Sequence, residues 1–374
     1  NRLHNRCACG GTLLARYDFD GVTLDSLRAR PEGLWRYREL LPVAGEPVSL
    51  GEPQTALIGL ERLSQRWGVE AYLKDDQTLA GGTFKARGAA VGLSRAVELG
   101  VKRIVMPSAG NAGGAWALYG ARAGLEVTVT MARSAPLANQ TEVRMAGAEL
   151  VLVDGTIADA ATAARDIAAR DDAYLTATFS EPYRLEGKKS CFLELFDQLG
   201  DASSMRFPRT IVLPVGGGVA AIAARKASRE IASLGWGRGE LPRIVGVQAR
   251  NCAPITRAFE RGEEQVSAWE GDPMTIAAGL RVPAPSEGAL VLERVRGSGG
   301  RMLAIGEEDI VAAVHDLAAT EGVFACPEGA AAVAGAEALA AAGELEGPVV
   351  VYNTGAGTKY VDAFTEDAFT REDR

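Results

Sequence analysis

The chain has 374 residues, 47% apolar and 24% charged, with a net charge of −8, the composition of a globular protein long enough for two or three domains. Its acidic balance leaves no electrostatic footprint for nucleic acid or anionic lipid. No apolar run approaches the roughly 20 residues that span a bilayer, so neither nucleic acid nor membrane is expected as a partner.

Asn1 to Arg6 lacks the apolar core of a signal peptide, and a cytoplasmic location is the expectation that follows. Residues 1–45 show no regular alternation and read as an N-terminal appendage. Within them Cys7-Ala8-Cys9-Gly10 offers two sulfurs. No second close cysteine pair completes a four-sulfur zinc site, and no metal is expected. Cys191, Cys252 and Cys326 are scattered, and an odd total of five does not make a disulfide framework. The two histidines are His4, in the tail, and His315, inside the helical pattern of 310–317. That scarcity leaves almost no candidates for a Ser-His-Asp or Cys-His arrangement, or for a histidine-rich metal site. An enzyme of this composition draws its chemistry from a cofactor.

From about residue 55 onward, short apolar strands alternate with Ala-rich amphipathic helices. The first chemical feature is Ala80-Gly81-Gly82-Thr83-Phe84-Lys85-Ala86-Arg87-Gly88. A lysine desolvated among small apolar neighbours loses proton affinity and can form a Schiff base; the alternative is a solvated lysine that opens a helix. A strand over 101–106 leads into Pro107-Ser108-Ala109-Gly110-Asn111-Ala112-Gly113-Gly114 and a helix over 113–123. Exposed N–H groups in that turn suit a carboxylate, and Asn111 either donates to a ring oxygen or caps the helix. Strands over 126–131 and 150–153 alternate with helices over 139–146 and 157–170. A strand over 210–215 runs into Gly216-Gly217-Gly218-Val219-Ala220-Ala221 and a helix over 219–233. Consecutive glycines let N–H groups converge at the positive end of the helix, which makes a phosphate cradle. Gly216, Gly218 and Ala221 also match the dinucleotide pattern G-x-G-x-x-A, but the next strand, 243–248, ends without the acid that a ribose needs. A tight turn that binds nothing is the third reading. Residues 283–288 read as a surface loop. A strand over 348–353 leads to Thr354-Gly355-Ala356-Gly357, where Thr354 bonds either a heterocyclic nitrogen or the turn backbone. The alternation predicts an α/β fold with mostly parallel strands and ligands beyond their carboxyl ends.

Taken in order, G-T-F-K-A-R-G around Lys85, S-A-G-N at 108–111, the glycine loop 216–219 and T-G-A-G from Thr354 resemble the fold-type-II pyridoxal 5′-phosphate (PLP) enzymes of the tryptophan synthase β superfamily. Within them the chain is most similar to threonine synthase. Leu34 to Pro42 resembles that family's entry segment, Arg184 to Ser190 its R-x-x-G-Q-K-T stretch, and Glu321 to Phe324 with Pro327 to Ala330 its E-G…P-E-G-A signature. The resemblance runs from about Cys7 to Asp362. It implies two open α/β domains with twisted, mostly parallel sheets and the active site between them. Residues 46–87 and 186–374 would form the large PLP-binding domain, and 88–185 a small mobile one. It implies a homodimer acting on a small amino-acid substrate. Lys85 would carry the cofactor as a Schiff base and shuttle protons, with Phe84 beside it. Gly216, Gly217, Gly218 and Val219 would hold the cofactor phosphate, Asn111 the ring hydroxyl and Thr354 the pyridine nitrogen. Ser108, Ala109, Gly110, Asn111 and Ala112 would line the substrate carboxylate site.

Several positions depart from the threonine synthase pattern. Ala86 stands for an Asp and Ala112 for a Thr. Thr178-Phe179-Ser180-Glu181-Pro182-Tyr183-Arg184 stands for N-S-x-N-P-x-R, and Gly51 to Ala56 for G-E-G-x-T-P. These changes fall where the phosphate of O-phospho-L-homoserine is expected, and Glu181 brings it a like charge. Arg184 and Lys188 remain as phosphate contacts. The expectation is elimination or replacement at the β or γ carbon of an amino acid, best represented by threonine synthase. The alternative is a serine/threonine dehydratase, or a replacement synthase with a non-phosphate leaving group. Outside that class stand an NAD enzyme built on Gly216 to Ala221 and a non-catalytic relative. Glu328 is either a support for the site or a carboxylate favoured at a helix start.

Overall fold

Unbroken apolar runs such as Ile211-Val212-Leu213 and Val349-Val350-Val351 have no polar face to offer water, which is the pattern of strands inside a parallel sheet. Both are buried at every position. The computed structural model describes residues 3–108 and 110–364. Two units emerge, one formed by the chain up to Gln54 together with Leu79–Glu194, the other by Thr55–Thr78 and Leu195 onward.

The second unit holds a six-stranded sheet in the order Ala56–Gly59, Ala71–Asp75, Val349–Asn353, Thr210–Pro214, Arg243–Ala249, Arg301–Ile305. Only the first pair is antiparallel. Its core gathers Val212, Val247 and Val351 with the small side chains of the helix Pro327–Ala341, including Ala330, Ala331 and Ala332. The strand Ala71–Asp75 is masked in the sequence by its charges. Lys74 is buried there because its ammonium donates to the Thr55 carbonyl and to Gln198 Oε1, each at 2.8 Å. Asp75 accepts from Asn353 Nδ2 at 2.8 Å, and Asp76 from Tyr352 at 2.6 Å and Thr55 at 2.8 Å.

The first unit is built on a parallel sheet ordered Glu149–Val153, Glu126–Ala132, Arg103–Pro107, Tyr174–Leu175. The helices Asn111–Ala123, Leu137–Met145 and Ile157–Asp171 alternate with its strands. The residues before position 45 are more than an appendage, since Leu34, Leu41 and Val43 join the same core as Leu93, Trp116 and Val129.

Expected and observed elements agree to within a few residues along the alternating stretch. The domain boundaries differ. Residues 46–54, the Lys85 segment and most of the helix Tyr183–Gln198 group with the first unit. A buried bidentate pair accounts for part of this: Arg87 donates to both carboxylate oxygens of Glu194, at 2.8 and 2.9 Å, and to Ser190 at 3.0 Å. Unpairing those charges would leave one of them buried and uncompensated, so the Lys85 helix and the Tyr183 helix travel together. Among the described residues no helix is long and apolar enough to cross a membrane.

Candidate active site

Lys85 opens the helix Lys85–Glu98, half-buried, with its ammonium 4.6 Å from the Phe84 ring centroid. Two glycines bring a second helix close. A Cβ on Gly187 would lie 2.0 Å from the Arg87 carbonyl oxygen, and one on Gly88 3.1 Å from the Arg184 carbonyl oxygen. Only bare backbone permits this approach. It carries Lys188 to the same aromatic ring, 5.0 Å from the Phe84 centroid. Lys188 is buried, and its pKa is held well below the ordinary lysine value, chiefly by burial and then by the positive charges of Lys85 and Arg184, against an opposing contribution from Glu181.

The turn after the strand Arg103–Pro107 is held by its own serine. Ser108 Oγ donates to the Gly110 carbonyl at 2.9 Å and accepts from the amides of Gly110 at 3.1 Å and Gly113 at 2.9 Å. Asn111 is the first residue of its helix, and Gly110 is the N-cap, so Asn111 does not cap it. Ala112 follows within the helix, and Ala109 lies outside the described residues. The adjacent parallel strand Tyr174–Leu175 ends in the segment that carries Arg184. Phe179 adopts φ +62° there, a left-handed conformation rare for an aromatic residue and costly to hold. Glu181 Oε2 accepts from the amides of Tyr183 at 2.7 Å and Arg184 at 3.0 Å, which caps the Tyr183–Gln198 helix, while Oε1 takes the Nε–H of Arg184. The guanidinium also stacks 4.6 Å from a Trp116 ring centroid. Its Nη2 is buried and has no hydrogen-bond partner among the described residues.

In the second unit, Gly216 to Val219 follow the strand Thr210–Pro214, and Thr354 follows the neighbouring strand Val349–Asn353. Both therefore stand at the carboxyl ends of adjacent parallel strands. Gly218 takes φ +82° at the head of the 15-residue helix Val219–Ser233, and a Cβ there would lie 2.1 Å from Val291 Cγ2. A Cβ on Gly216 would lie 2.3 Å from the Gly279 carbonyl oxygen. The loop is thus closed to side chains and leaves backbone N–H groups at a helix start, where no carbonyl of the same helix can reach them. Thr354 is buried, its Oγ1 3.4 Å from Cys326 Sγ. The thiol also reaches Asn353 Oδ1 at 3.5 Å and accepts from the Gly329 amide at 3.4 Å. Burial, then the nearby charge of Glu328, raises the Cys326 pKa. Glu328 accepts from the Gly279 amide at 2.6 Å and from Tyr360 at 2.9 Å, bracing the segment against which Gly216 rests.

Within the first unit the expected residues Phe84, Lys85 and Arg184 are gathered by the helix crossing. Within the second, the glycine loop and Thr354 share one end of the sheet. Cys326 and Asn139 carried no signal in the sequence. Asn139 places Nδ2 3.0 Å from where a Gly110 Cβ would be, and its buried Oδ1 lacks a partner among the described residues. The donor set suits pyridoxal phosphate: an amine able to condense with an aldehyde, a backbone cradle that admits an anion but no side chain, and a buried hydroxyl for a ring nitrogen.

Comparison with known proteins agrees. Residues 48–355 match the family described as pyridoxal-phosphate dependent enzyme. Threonine synthase of Methanosarcina acetivorans is 35% identical over 93% of this chain and 85% of that protein. Threonine synthase of Methanocaldococcus jannaschii is 34% identical over 96% and 89%. The solved threonine deaminase isoform 2 of Solanum lycopersicum superposes with a TM-score of 0.72 at 23% identity, covering 96% of this chain and 97% of that one, a likeness of fold. On that family match and those relatives, the chain belongs to the pyridoxal-phosphate-dependent enzymes of fold type II.

Proposed function

We propose that this enzyme is a threonine synthase, converting O-phospho-L-homoserine and water to L-threonine and phosphate. One observation carries the choice of substrate: the buried, unpartnered Nη2 of Arg184 in the unit that contains Lys85. A desolvated guanidinium edge calls for an anion, and a substrate phosphate supplies one. The identity to threonine synthases over nearly the whole chain supports the same reading.

Bound pyridoxal phosphate supplies an electron sink for the carbanion formed when a substrate C–H bond ionises. In this reading Lys85 holds the cofactor through its ε-amine and moves protons at the substrate carbons, with Phe84 beside it. Gly216, Gly217, Gly218 and Val219 bind the cofactor phosphate through backbone N–H groups. Asn111 bonds the ring hydroxyl and Thr354 the ring nitrogen. The turn from Ser108 through Ala109, Gly110 and Asn111 to Ala112 receives the substrate carboxylate. Arg184 binds the leaving phosphate. The resemblance to the family also supports a homodimer in the cytoplasm; sedimentation of a 39.2 kDa monomer would refute the dimer.

A second reading has its own support. Glu181 neutralises much of Arg184, and a site with a paired arginine suits a substrate with a neutral side chain, as in serine or threonine dehydration. Purified protein given O-phospho-L-homoserine decides between them. Threonine and phosphate formed in equal amounts, with both the reaction and the visible cofactor band lost in Lys85→Ala, establish the synthase. Keto acid and ammonia from serine or threonine, with no phosphate release, establish the dehydratase.

A further inference from the structure

We propose that Lys188 is a specificity-determining residue, which together with the free edge of Arg184 forms a buried two-cation subsite for a phosphoryl group beside Lys85. The inference rests on the synthase reading for the identity of the anion. It goes beyond it in assigning a second cation, and in giving Glu181 the role of positioning Arg184.

Arg184 and Lys188 are one turn apart on the helix Tyr183–Gln198 and share a face. Both are buried, at 3% and 4% exposure. The carboxylate paired with Arg184 is that of Glu181, and its oxygens are already engaged by two helix amides and by Arg184 Nε. Glu181 therefore does not confront the anion as a bare charge. It fixes the guanidinium, with Trp116 stacked 4.6 Å away, so that Nη2 is left over. Lys188 makes no ion pair within 4 Å among the described residues, and its ammonium lies 5.0 Å from the Phe84 ring centroid. The next residue shows the usual solution: Lys189, equally buried, pairs with Glu186 at 2.7 Å. A buried charge without a counter-charge is costly to the fold. Two buried cations, Arg184 and Lys188, with the paired carboxylate of Glu181 carry a net positive charge that an arriving phosphoryl group offsets.

The test uses the cofactor-loaded protein and inorganic phosphate as the probe, followed by calorimetry, with KM for O-phospho-L-homoserine measured alongside. Lys188→Met keeps an apolar stem and removes the charge. The expected result is phosphate binding at least tenfold weaker, KM raised more than kcat is lowered, an unchanged cofactor band and a higher melting temperature. The exposed control Lys102→Gln should leave phosphate affinity as it is. A purely structural lysine would instead show a lower melting temperature and unaltered phosphate affinity. Equal phosphate affinity in wild type and Lys188→Met, or no binding to wild type, overturns the proposal. Lys188→Gln serves if Lys188→Met does not fold; should neither fold, Lys188 is structural and the proposal falls. Phosphate binding that depends on Lys188 without threonine formation would sustain the subsite and sink the synthase reading. Threonine formation with unaltered KM in Lys188→Met would do the reverse.

Discussion

At the scale of single residues, the chemistry of this protein is set by where charges lose water. Lys188 has a depressed pKa in the folded chain and an ordinary one when unfolded, so between those values the unfolded state binds more protons, and stability rises with pH across that window. Below the folded pKa the lysine is charged in both states and the full penalty of its burial is felt. Well above the ordinary lysine value of 10.5, the lysine is neutral in both states and the charge penalty is gone. The stability gained by Lys188→Met should therefore be largest in acid and neutral solution and shrink toward pH 10.5, as read from melting temperature against pH for both proteins. A gain independent of pH would mean that the lysine's charge costs the fold nothing. Lys85 was legible in the sequence through the resemblance of its G-T-F-K-A-R-G motif to a family, since small neighbours alone do not single out one lysine. Lys188 was legible as a phosphate contact, but its burial without an ion pair among the described residues is a property of three dimensions.

At the scale of elements, two close approaches do most of the positioning. The Gly88–Gly187 crossing brings two lysines to one aromatic ring, and the Gly216–Gly218 loop keeps a helix start clear of side chains. Gly218 carries a double constraint, a left-handed φ of +82° and Val291 at 2.1 Å from any added Cβ. Gly218→Ala should reduce pyridoxal phosphate affinity at least tenfold while helix content, by circular dichroism, is kept. The variant Gly218→Ala/Val291→Ala should recover part of the loss by removing the clash but not the φ cost, which is about 1 kcal/mol for a left-handed residue. Undiminished affinity in the single variant would show that the loop does not hold the cofactor. In the turn at Ser108 the serine hydroxyl is engaged by Gly110 and Gly113, which leaves backbone groups as what the turn can offer a carboxylate.

At the scale of the whole molecule, the N-terminal stretch proved to be part of a core. Leu27, Leu34, Tyr37 and Leu40 are fully buried. At roughly 1.5–3 kcal/mol for each large apolar side chain removed from water, their loss rivals the total stability of a typical domain, about 5–15 kcal/mol. A chain starting at Glu46 should lose cooperative thermal unfolding or fall well below the full-length melting temperature; an unchanged transition would show these residues to be dispensable. The sequence alone determined the α/β class and the alternation of strands and helices over much of the chain, because periodicity and small-residue turns are local and need no partner to be read; the cofactor was legible through the resemblance of its motifs, taken in order, to a family. Tertiary structure decided the rest. It moved the Lys85 segment and the Tyr183 helix into the unit with the N-terminal residues, because the buried Arg87–Glu194 pair joins them. It hid the strand Ala71–Asp75 behind charges that only distant partners satisfy. It also turned Glu181 from an apparent obstacle to phosphate into the clamp of Arg184. The physical reason is the same in each case: the energy of a charge depends on what surrounds it after folding, and those neighbours come from far along the chain.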